Sequence, residues 1–342
     1  MKNLENIINK FNKANILVIG DLILDQYIWG SVTRVSPEAP VPVVLGKKRE
    51  YIPGGAANVA NNIAALRGNV TLCGVVGEKE SDTTKRFLNK VNELGIKATG
   101  VFHEQDRKTT LKTRIIAGHQ QVVRVDWEDV HDIKTETRNK IQDFIQQNLK
   151  KFDAVIIEDY GKGLLDSFLL SLITSEAHKQ KKIVTVDPKE DNFEYYKRAT
   201  CITPNRREAE NAVRYLKMKD QKNEFQIYND ELIRFNDIEK AGKMILKHLE
   251  LESLLVTLGE QGMFLFEKDK PKTHIPTVAQ EVFDVSGAGD TVISTFTLAL
   301  ASGATKTEAA HLANFAAGIV VGKLGTATTN RKELLERIRK HK

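Results

Sequence analysis

The chain has 342 residues, of which 41% are hydrophobic and 28% are charged. This balance supports a large buried core, and it excludes a protein that is mainly disordered, collagen-like or coiled-coil. The formal net charge is +6, but acids and bases alternate along the chain, so small phosphorylated ligands are favoured over nucleic acid as partners.

The N-terminal segment MKNLENIINKFNKAN lacks the apolar region of a signal peptide. No apolar run approaches the roughly 18 residues that a membrane span needs. The two cysteines, Cys73 and Cys201, form no CxxC pair, and the histidines form no HExxH motif. These features predict a cytoplasmic protein with reduced thiols, no membrane partner and no zinc site.

Short apolar runs alternate with helical patterns along the chain. The predicted strands are Ile16–Ile19, Val70–Val76, Ala154–Ile157, Ile183–Val186, Thr200–Thr203 and Leu254–Thr257. The predicted helices are Ala56–Arg67, Asp82–Leu94, Lys134–Leu149, Ser167–Lys179, Arg206–Leu216, Ile238–Leu249, Asp290–Ala301 and Thr307–Val320. This order predicts an α/β fold with a doubly wound, mostly parallel sheet flanked by helices. The charged segment Lys217–Asp237 is interpreted as a surface excursion.

Two segments depart from this alternation. Residues 27–52 contain strand-like pieces around SPEAPVP, and residues 108–126 are typical of two alternating strands around Gly118. Because no helix separates the pieces, they predict a small antiparallel sheet inserted into the α/β body as a lid. So small a sheet cannot bury both faces against the body, and we expect a second copy to cover it in a homodimer.

The motif 53-PGGAANVANNIAAL starts a helix after a pair of glycines. Gly54 and Gly55 leave backbone N–H groups open to a polar ligand, and Asn58 in the first turn can hydrogen-bond a hydroxyl. The alternative is an ordinary core helix that begins after glycine.

The motif 284-DVSGAGDTVIS places Ser286, Gly287, Ala288 and Gly289 in a turn at a helix N-terminus. The N–H groups of such a turn can form an anion hole. Asp290 would repel a phosphate bound there, so its presence favours a general base for the hydroxyl that attacks the phosphate. The alternative is a helix-capping Asp. The motif is neither a P-loop nor a dinucleotide fingerprint.

The motif 203-TPNRREAE places Asn205 and Glu208 on one side of a predicted helix start. An amide and a carboxylate there can hold a hydrated Mg²⁺ near phosphates. The equally weighted alternative is a capping box, with Asn205 as the N-cap and Glu208 three residues later.

Charged residues also follow other predicted strands, at Asp21, Asp159, Lys162 and Lys189. Each of them can be a solvated loop charge. Ligand-binding groups of α/β sheets gather at the carboxyl ends of strands, however, so their shared position favours one common site.

Together these motifs resemble the ribokinase-like (PfkB) carbohydrate kinases from about Ile16 to Thr326. The segments SPEAPVPVV, DYGKG, DPK and GIVVGKLGT are similar to the kinase domain of heptose kinase/adenylyltransferases. The resemblance implies one ribokinase-like domain over residues 1–342 that uses ATP and Mg²⁺. Its reaction would be phosphorylation of D-glycero-β-D-manno-heptose 7-phosphate at the anomeric hydroxyl to the 1,7-bisphosphate, in ADP-heptose and lipopolysaccharide precursor synthesis. Activation by a monovalent cation is left open.

The same resemblance implies roles for individual residues. By family pattern, the base is Asp290; the anion hole is Ser286, Gly287, Ala288 and Gly289; the ATP-binding residues are Asn205, Arg206, Arg207, Glu208, Thr257, Gly259, Gly262 and Asn314; and the sugar-binding residues are Asp21, Gly54, Gly55 and Asn58. Glu208 would contact Mg²⁺ through water. The 7-phosphate needs cations of its own, for which Lys162, Lys189 and Arg34 are the candidates.

Arg67 and Thr295 stand where the family usually has small residues. No HxGH-type nucleotidyltransferase motif occurs, so we expect a stand-alone kinase and a separate adenylyltransferase downstream. Two alternatives remain open: a ribokinase-like kinase of another sugar or sugar phosphate, such as a fructose phosphate, and a non-catalytic sugar-phosphate-binding protein. The intact Asp290 favours catalysis.

Overall fold

The computed structural model describes residues 2–118, 120–219, 231–279 and 281–341. The strands are β1 (Asn15–Gly20), β2 (Leu22–Val35), β3 (Pro42–Gly55), β4 (Asn69–Val76), β5 (Lys97–His103), β6 (Thr110–Ala117), β7 (Gln120–Trp127), β8 (Ala154–Glu158), β9 (Ile183–Asp187), β10 (Cys201–Ile202), β11 (Ser253–Thr257), β12 (Met263–Glu267) and β13 (Thr273–Ile275). The helices are α1 (Lys2–Asn9), α2 (Ala56–Ala65), α3 (Asp82–Glu93), α4 (Thr135–Asn148), α5 (Ser167–Lys179), α6 (Arg206–Lys219), α7 (Phe235–His248), α8 (Ala288–Ala301), α9 (Lys306–Val320) and α10 (Arg331–Lys340).

Within the described ranges, nine strands form the main sheet, in the order β13-β12-β11-β10-β9-β8-β1-β4-β5. The strands from β5 to β11 in this order are parallel, and β12 and β13 are antiparallel additions at one edge. Helices α2, α8 and α9 pack on one face, and helices α4 to α7 pack on the other. The doubly wound α/β fold is confirmed. Among the described helices, none has the length and apolarity that a membrane crossing requires.

The direction of winding reverses at β1, because the chain adds β4 and β5 on one side and β8 to β11 on the other. In such sheets, ligands bind at the carboxyl ends of the strands beside the reversal. Gly20 at the end of β1 is paired with Glu158 at the end of β8, which is paired with Asp187 at the end of β9. The fold therefore brings polar groups from three strands to one edge.

The predicted lid is a separate sheet of four strands in the order β3-β2-β6-β7. Its outer pairs are antiparallel, but the central pair, β2 with β6, is parallel. The sequence predicted an antiparallel sheet, so the parallel pair corrects that prediction. The pair is parallel because β2 and β6 leave the main sheet in the same direction, β2 after β1 and β6 after β5. Strands β2 and β3 also extend beyond the predicted segment 27–52, from Leu22 to Gly55.

Several boundaries differ from the prediction. Helix α2 ends at Ala65, and Arg67 follows in a left-handed conformation with φ of 67°, which explains why a small residue is common at this position. Helix α6 continues to Lys219 and α7 begins at Phe235. Residues 220–230 of the predicted excursion lie outside the described residues.

Thr295 is the second departure from the family pattern, and it lies in α8 with 0% of its surface exposed. Its hydroxyl is buried without a hydrogen-bond partner in the described part of the chain. Because an unsatisfied buried hydroxyl is unfavourable, we expect Thr295→Val to raise the free energy of unfolding by about 1 kcal/mol. Denaturant unfolding measures this change.

The matched control is Thr297→Val on the same helix. The Thr297 hydroxyl bonds to the Ile293 carbonyl at 2.7 Å and to the Thr185 hydroxyl at 2.6 Å. Its replacement should destabilise the protein, because Thr185 then loses its partner. A Thr295→Val variant that is destabilised as much as Thr297→Val would contradict the prediction.

Candidate active site

The turn before α8 lies at the carboxyl edge of the main sheet. Gly287 occupies the N-cap position with φ of 76°, a conformation that favours glycine, and no side chain caps the helix. The Ser286 N–H donates to Asp284 Oδ1 at 2.9 Å, and the Ala288 N–H donates to the Val285 carbonyl at 3.1 Å. Of the predicted anion hole, Gly287 and Gly289 therefore offer N–H groups that are free among the described residues, whereas Ser286 and Ala288 use theirs within the turn.

Asp290 lies in the first turn of α8 and is only 6% exposed. Its Oδ2 accepts a hydrogen bond from Asn58 Nδ2 of α2 at 2.5 Å, and its Oδ1 accepts one from the Tyr160 hydroxyl at 3.4 Å. Burial raises the pKa of Asp290 to about 6, while the hydrogen bond from Asn58 lowers it. The N-cap residue is Gly287, so this carboxylate is not the cap of α8 and is free for another role.

Tyr160 was not singled out by the sequence motifs, although it lies within DYGKG. Its hydroxyl is directed at Asp290, and the charge of Asp290 together with burial raises the Tyr160 pKa well above its ordinary value. The phenol therefore stays protonated and is a hydrogen-bond donor to the carboxylate. The only sequence signal for this contact is its place after a strand end.

Asp21 and the loop after β8 form the floor of the site next to Asp290. Asp21 Oδ2 accepts the backbone N–H groups of Tyr160 at 2.9 Å and Lys162 at 3.1 Å. Burial, and secondly the charge of Asp159, raises the pKa of Asp21 to about 6. Asp159 itself accepts hydrogen bonds from Tyr196 and Asn192, so it organises the loop.

The PGGAAN segment packs directly against Asp21. Gly55 has φ of 54°, and a Cβ atom there would lie 2.6 Å from the Asp21 carbonyl oxygen. A Cβ atom on Gly54 would lie 2.5 Å from Asp25 Oδ2, and Asp25 is ion-paired with Arg114 of the lid. Asn58 is fully buried, and its Oδ1 has no partner within the described residues. This amide oxygen is thus available to accept a ligand hydroxyl.

Asn205 and Glu208 form the capping box that was one of the two alternatives predicted from the sequence. The Asn205 N–H donates to Glu208 Oε2 at 2.8 Å, and the Glu208 N–H donates to Asn205 Oδ1 at 3.0 Å. Burial raises the pKa of Glu208 above its ordinary value, although the hydrogen bonds with Asn205 and, after them, the charge of Lys189 lower it. The capping box holds the Glu208 carboxylate in place beside the site, so the structural role and a role toward Mg²⁺ are compatible.

A cavity of about 550 Å³ lies between the turn before α8, the loop after β11 and helix α9. Six predicted nucleotide or anion-hole residues line it: Thr257, Gly259, Gly262, Ala288, Gly289 and Asn314. The rest of the lining is mostly apolar and includes Val285, Val292 and Val321. Apolar walls with a few polar groups suit a flat heteroaromatic base. The Asn314 side chain donates to the Pro276 carbonyl at 2.7 Å.

The predicted cations differ in what they contact. Lys162 is ion-paired with Glu128 at 2.6 Å, whereas the Lys189 ammonium forms no ion pair with any residue in the described ranges. Arg34 is exposed on the outer part of β2. Arg206 bonds to the Leu232 carbonyl and to Gln261, so it anchors the loop after β11 instead of facing the cavity. Arg207 is exposed at the start of α6.

Comparisons with known proteins show the family of this chain. Residues 13–333 match the model of the pfkB family carbohydrate kinases. Bifunctional protein HldE of Pelobacter propionicus is 42% identical over 340 residues, which cover 98% of this chain and 66% of that protein. Bifunctional protein HldE of Helicobacter pylori is 43% identical over 319 residues, 93% of this chain and 65% of that protein. The chain thus spans just under two thirds of the length of these relatives.

Solved structures share the fold. The phosphofructokinase-2 of Escherichia coli in complex with potassium superposes with a TM-score of 0.76 at 17% identity, covering 96% of this chain and 98% of that structure. The ribokinase of Arabidopsis thaliana complexed with ribose and ATP superposes with a TM-score of 0.70 at 17% identity, covering 95% and 99%. With the family match over nearly its whole length, the chain belongs to the PfkB family of carbohydrate kinases and is an ATP-dependent sugar kinase.

Proposed function

We propose that this kinase transfers the γ-phosphoryl group of ATP to the anomeric hydroxyl of D-glycero-β-D-manno-heptose 7-phosphate, giving the 1,7-bisphosphate. The observation that carries the proposal is the position of Asp290, between the cavity behind the Gly287 turn and the polar groups of Asp21 and Asn58. The choice of sugar is supported by the SPEAPVPVV and VVGKLGT segments and by relatives that are named bifunctional protein HldE.

Asp290 acts as the general base in this proposal. An anomeric hydroxyl is more acidic than an ordinary alcohol, so a carboxylate with a pKa of about 6 can accept its proton. Asn58 and Tyr160 orient the two carboxylate oxygens. The hydroxyl oxygen then attacks the γ-phosphorus in line, and most of the rate enhancement comes from positioning and charge neutralisation.

The sugar is held by the groups that remain unsatisfied beside Asp290. Asn58 Oδ1 is a buried acceptor without a partner in the described part of the chain, and a sugar hydroxyl can donate to it. Asp21 uses Oδ2 for two backbone N–H groups, which leaves Oδ1 for a second hydroxyl. Burial makes both contacts strong and directional.

ATP occupies the cavity behind the Gly287 turn, with its phosphates on the free N–H groups of Gly287 and Gly289. Mg²⁺ fits this site because Glu208 supplies a half-buried carboxylate next to it, and hard cations prefer oxygen ligands. Glu208 would hold the ion through water. When bound, the ion neutralises charge on the transferred phosphoryl group.

The sugar 7-phosphate needs a cation that is not already paired. Lys189 forms no ion pair among the described residues, and its nearest stated acid is Glu208, whose pKa its charge lowers. The Lys189 side chain lies beside Gly161, where a Cβ atom would be 3.5 Å from Lys189 Cε. Lys162 would first have to leave Glu128, whose second oxygen is bound by Lys112. We therefore assign Lys189 as the first contact for this phosphate, with Lys162 second.

A substrate panel with ADP release as the readout tests the proposal. The heptose 7-phosphate should have a kcat/KM at least about tenfold above that of the dephosphorylated heptose, since each hydrogen bond to a charged group contributes about 1.5–3 kcal/mol. ³¹P NMR should show a new anomeric phosphate. Equal kcat/KM for the two sugars, or a preference for a fructose phosphate, would contradict the choice of substrate.

The same proposal includes a homodimer formed through the lid. Val123, Val125 and Trp127 alternate along β7, so they lie on one face of the lid, and all are exposed, Trp127 by 56%. Leu45 of β3 is 62% exposed. A second copy of the chain would remove these apolar side chains from water.

Light scattering at micromolar concentration should give the mass of two chains. Val125→Lys places a charge in the interface and should give one chain. Val130→Lys, at a valine that is even more exposed but lies outside the lid strands, should leave two. A wild-type mass of one chain would exclude the dimer. In the proposed pathway, hydrolysis removes the 7-phosphate from the 1,7-bisphosphate before an adenylyltransferase acts on the remaining sugar 1-phosphate.

A further inference from the structure

The segment 322-GKLGT follows helix α9, and the proposed reaction gives none of its residues a role. Its backbone is bonded to the turn before α8. The Gly325 N–H donates to Asp284 Oδ2 at 3.1 Å, and the other oxygen of Asp284 accepts the Ser286 N–H at 2.9 Å. The segment therefore supports the turn whose N–H groups receive the ATP phosphates in the proposed reaction.

Thr326, the last residue of this segment, contacts the turn itself. A Cβ atom on Gly287 would lie 3.0 Å from the Thr326 methyl group. The same position is 3.0 Å from Asn58 Nδ2, which donates to Asp290. Apart from its chain neighbours, these two groups are what Gly287 meets on that side in the described part of the chain. The place of the Gly287 backbone therefore depends on Thr326.

The Thr326 hydroxyl is also bonded to the lid. Its Oγ1 lies 3.0 Å from the hydroxyl oxygen of Tyr27 in β2, a residue 299 positions earlier in the chain, and Tyr27 is only 5% exposed. Among the described residues, no other side-chain hydrogen bond or ion pair joins a lid strand to the turn 284–290 or to the segment 321–326. This one bond connects the lid with the nucleotide side of the site.

The Tyr27 ring belongs to the sugar side of the lid. Side chains alternate along a strand, so Asp25 and Tyr27 share one face. The guanidinium of Arg114, which is ion-paired with Asp25, lies 5.4 Å from the centre of the Tyr27 ring, within the range of a cation–π contact. Asp25 Oδ2 would lie 2.5 Å from a Cβ atom on Gly54, in the segment that is predicted to bind the sugar. Tyr27 thus contacts the sugar side with its ring and the nucleotide side with its hydroxyl.

We propose that Tyr27 is a positioning residue that couples the lid to the phosphate-binding turn through Thr326. With the lid in place, the Tyr27 hydroxyl holds Thr326 against Gly287, so the N–H groups of Gly287 and Gly289 keep the direction that the phosphates need. The coupling is reciprocal by linkage, so phosphates bound at the turn stabilise the lid. This inference rests on the proposed place of the ATP phosphates and is independent of which sugar is the substrate.

Hydrogen–deuterium exchange of the full chain, with Mg²⁺ and the non-hydrolysable ATP analogue AMP-PNP but without sugar, tests the coupling. In the wild type, the analogue should slow exchange in the turn 284–290, and it should slow exchange in β2 by about fivefold, the effect of one hydrogen bond. Tyr27→Phe should keep the protection of the turn and lose that of β2. Thr326→Val should do the same, and it serves if Tyr27→Phe does not fold. The double variant should lose no more than either single variant.

Tyr51→Phe is the matched control, because the Tyr51 hydroxyl accepts a hydrogen bond from Gln26 Nε2 at 2.8 Å within the lid. This variant should keep the protection of β2. Unchanged protection of β2 in Tyr27→Phe, an equal loss in Tyr51→Phe, or additive losses in the double variant would each overturn the proposal. In the wild type, protection of the turn without protection of β2 would overturn this inference alone, whereas an unprotected turn would also overturn the proposed place of the phosphates.

Discussion

Replacing Asp290 by Asn is expected to lower kcat by about 10²–10⁴-fold, the usual contribution of a positioned general base. The amide keeps the size of the side chain and can still meet Tyr160, but it cannot accept the proton of the sugar hydroxyl. The affinity for ATP should hold or improve, because a negative charge near the phosphates is removed. Steady-state kinetics and an ATP-binding titration of the same preparation give both values.

Asp166→Asn is the matched control for this variant. Asp166 is the N-cap of α5, and its side chain accepts the Leu169 N–H at 2.8 Å. Asn caps helices about as well as Asp, so this variant should keep its rate. Loss of the ion pair between Asp166 and Arg138 should lower its stability only slightly. Near-normal turnover of Asp290→Asn, with an unchanged melting curve, would exclude Asp290 as the base.

The pH dependence of the wild-type rate is an independent test of Asp290 as the general base. The base must be ionised, and burial raises the pKa of Asp290 to about 6. The rate should therefore be constant above that value and fall as the pH drops through it, because the protonated carboxyl cannot accept a proton. In Asp290→Asn, the residual rate should lose this dependence.

Replacing Gly55 by Ala is expected to have the largest effect on stability. Gly55 has φ of 54° and ψ of −137°, a combination that costs other residues about 1–3 kcal/mol. The added Cβ would also lie 2.6 Å from the Asp21 carbonyl oxygen, which is backbone and cannot move aside alone. We expect the free energy of unfolding to fall by about 3 kcal/mol or more, with an increase in the sugar KM because Asp21 is displaced.

The Gly95→Ala variant measures the cost of backbone strain without a steric clash. Gly95 also has a positive φ, of 70°, but a Cβ atom there would have nothing within 4 Å. This variant should lose only about 1 kcal/mol of stability and keep its KM. Denaturant unfolding and kinetics of both variants check the prediction. Equal losses in the two would show that the contact with Asp21 does not matter.

The fold and the residues at the helix starts were predictable from local features of the amino-acid sequence. The alternation of apolar strands with helical patterns is a local property, and it predicted the doubly wound sheet. Gly55, Gly287 and Asp290 were identified because backbone conformation and helix-terminus chemistry depend on neighbouring residues in the chain. The lid strands were visible for the same reason, as alternation without intervening helices.

Contacts between side chains that are far apart in the chain could not be predicted in this way. Asn58 and Asp290 are 232 residues apart in the chain, and their contact depends on how α2 packs against α8. The pairing of Lys162 with Glu128 and the parallel pairing of β2 with β6 depend on where distant strands leave the sheet.

The convergence of Glu158 and Asp187 has the same cause. Each acid is an ordinary strand end in the sequence, and strand register alone makes them neighbours under α8. Register and helix packing are set by the burial of the whole core, which no local pattern contains. The closeness of these two acids was therefore invisible until the strands were placed side by side.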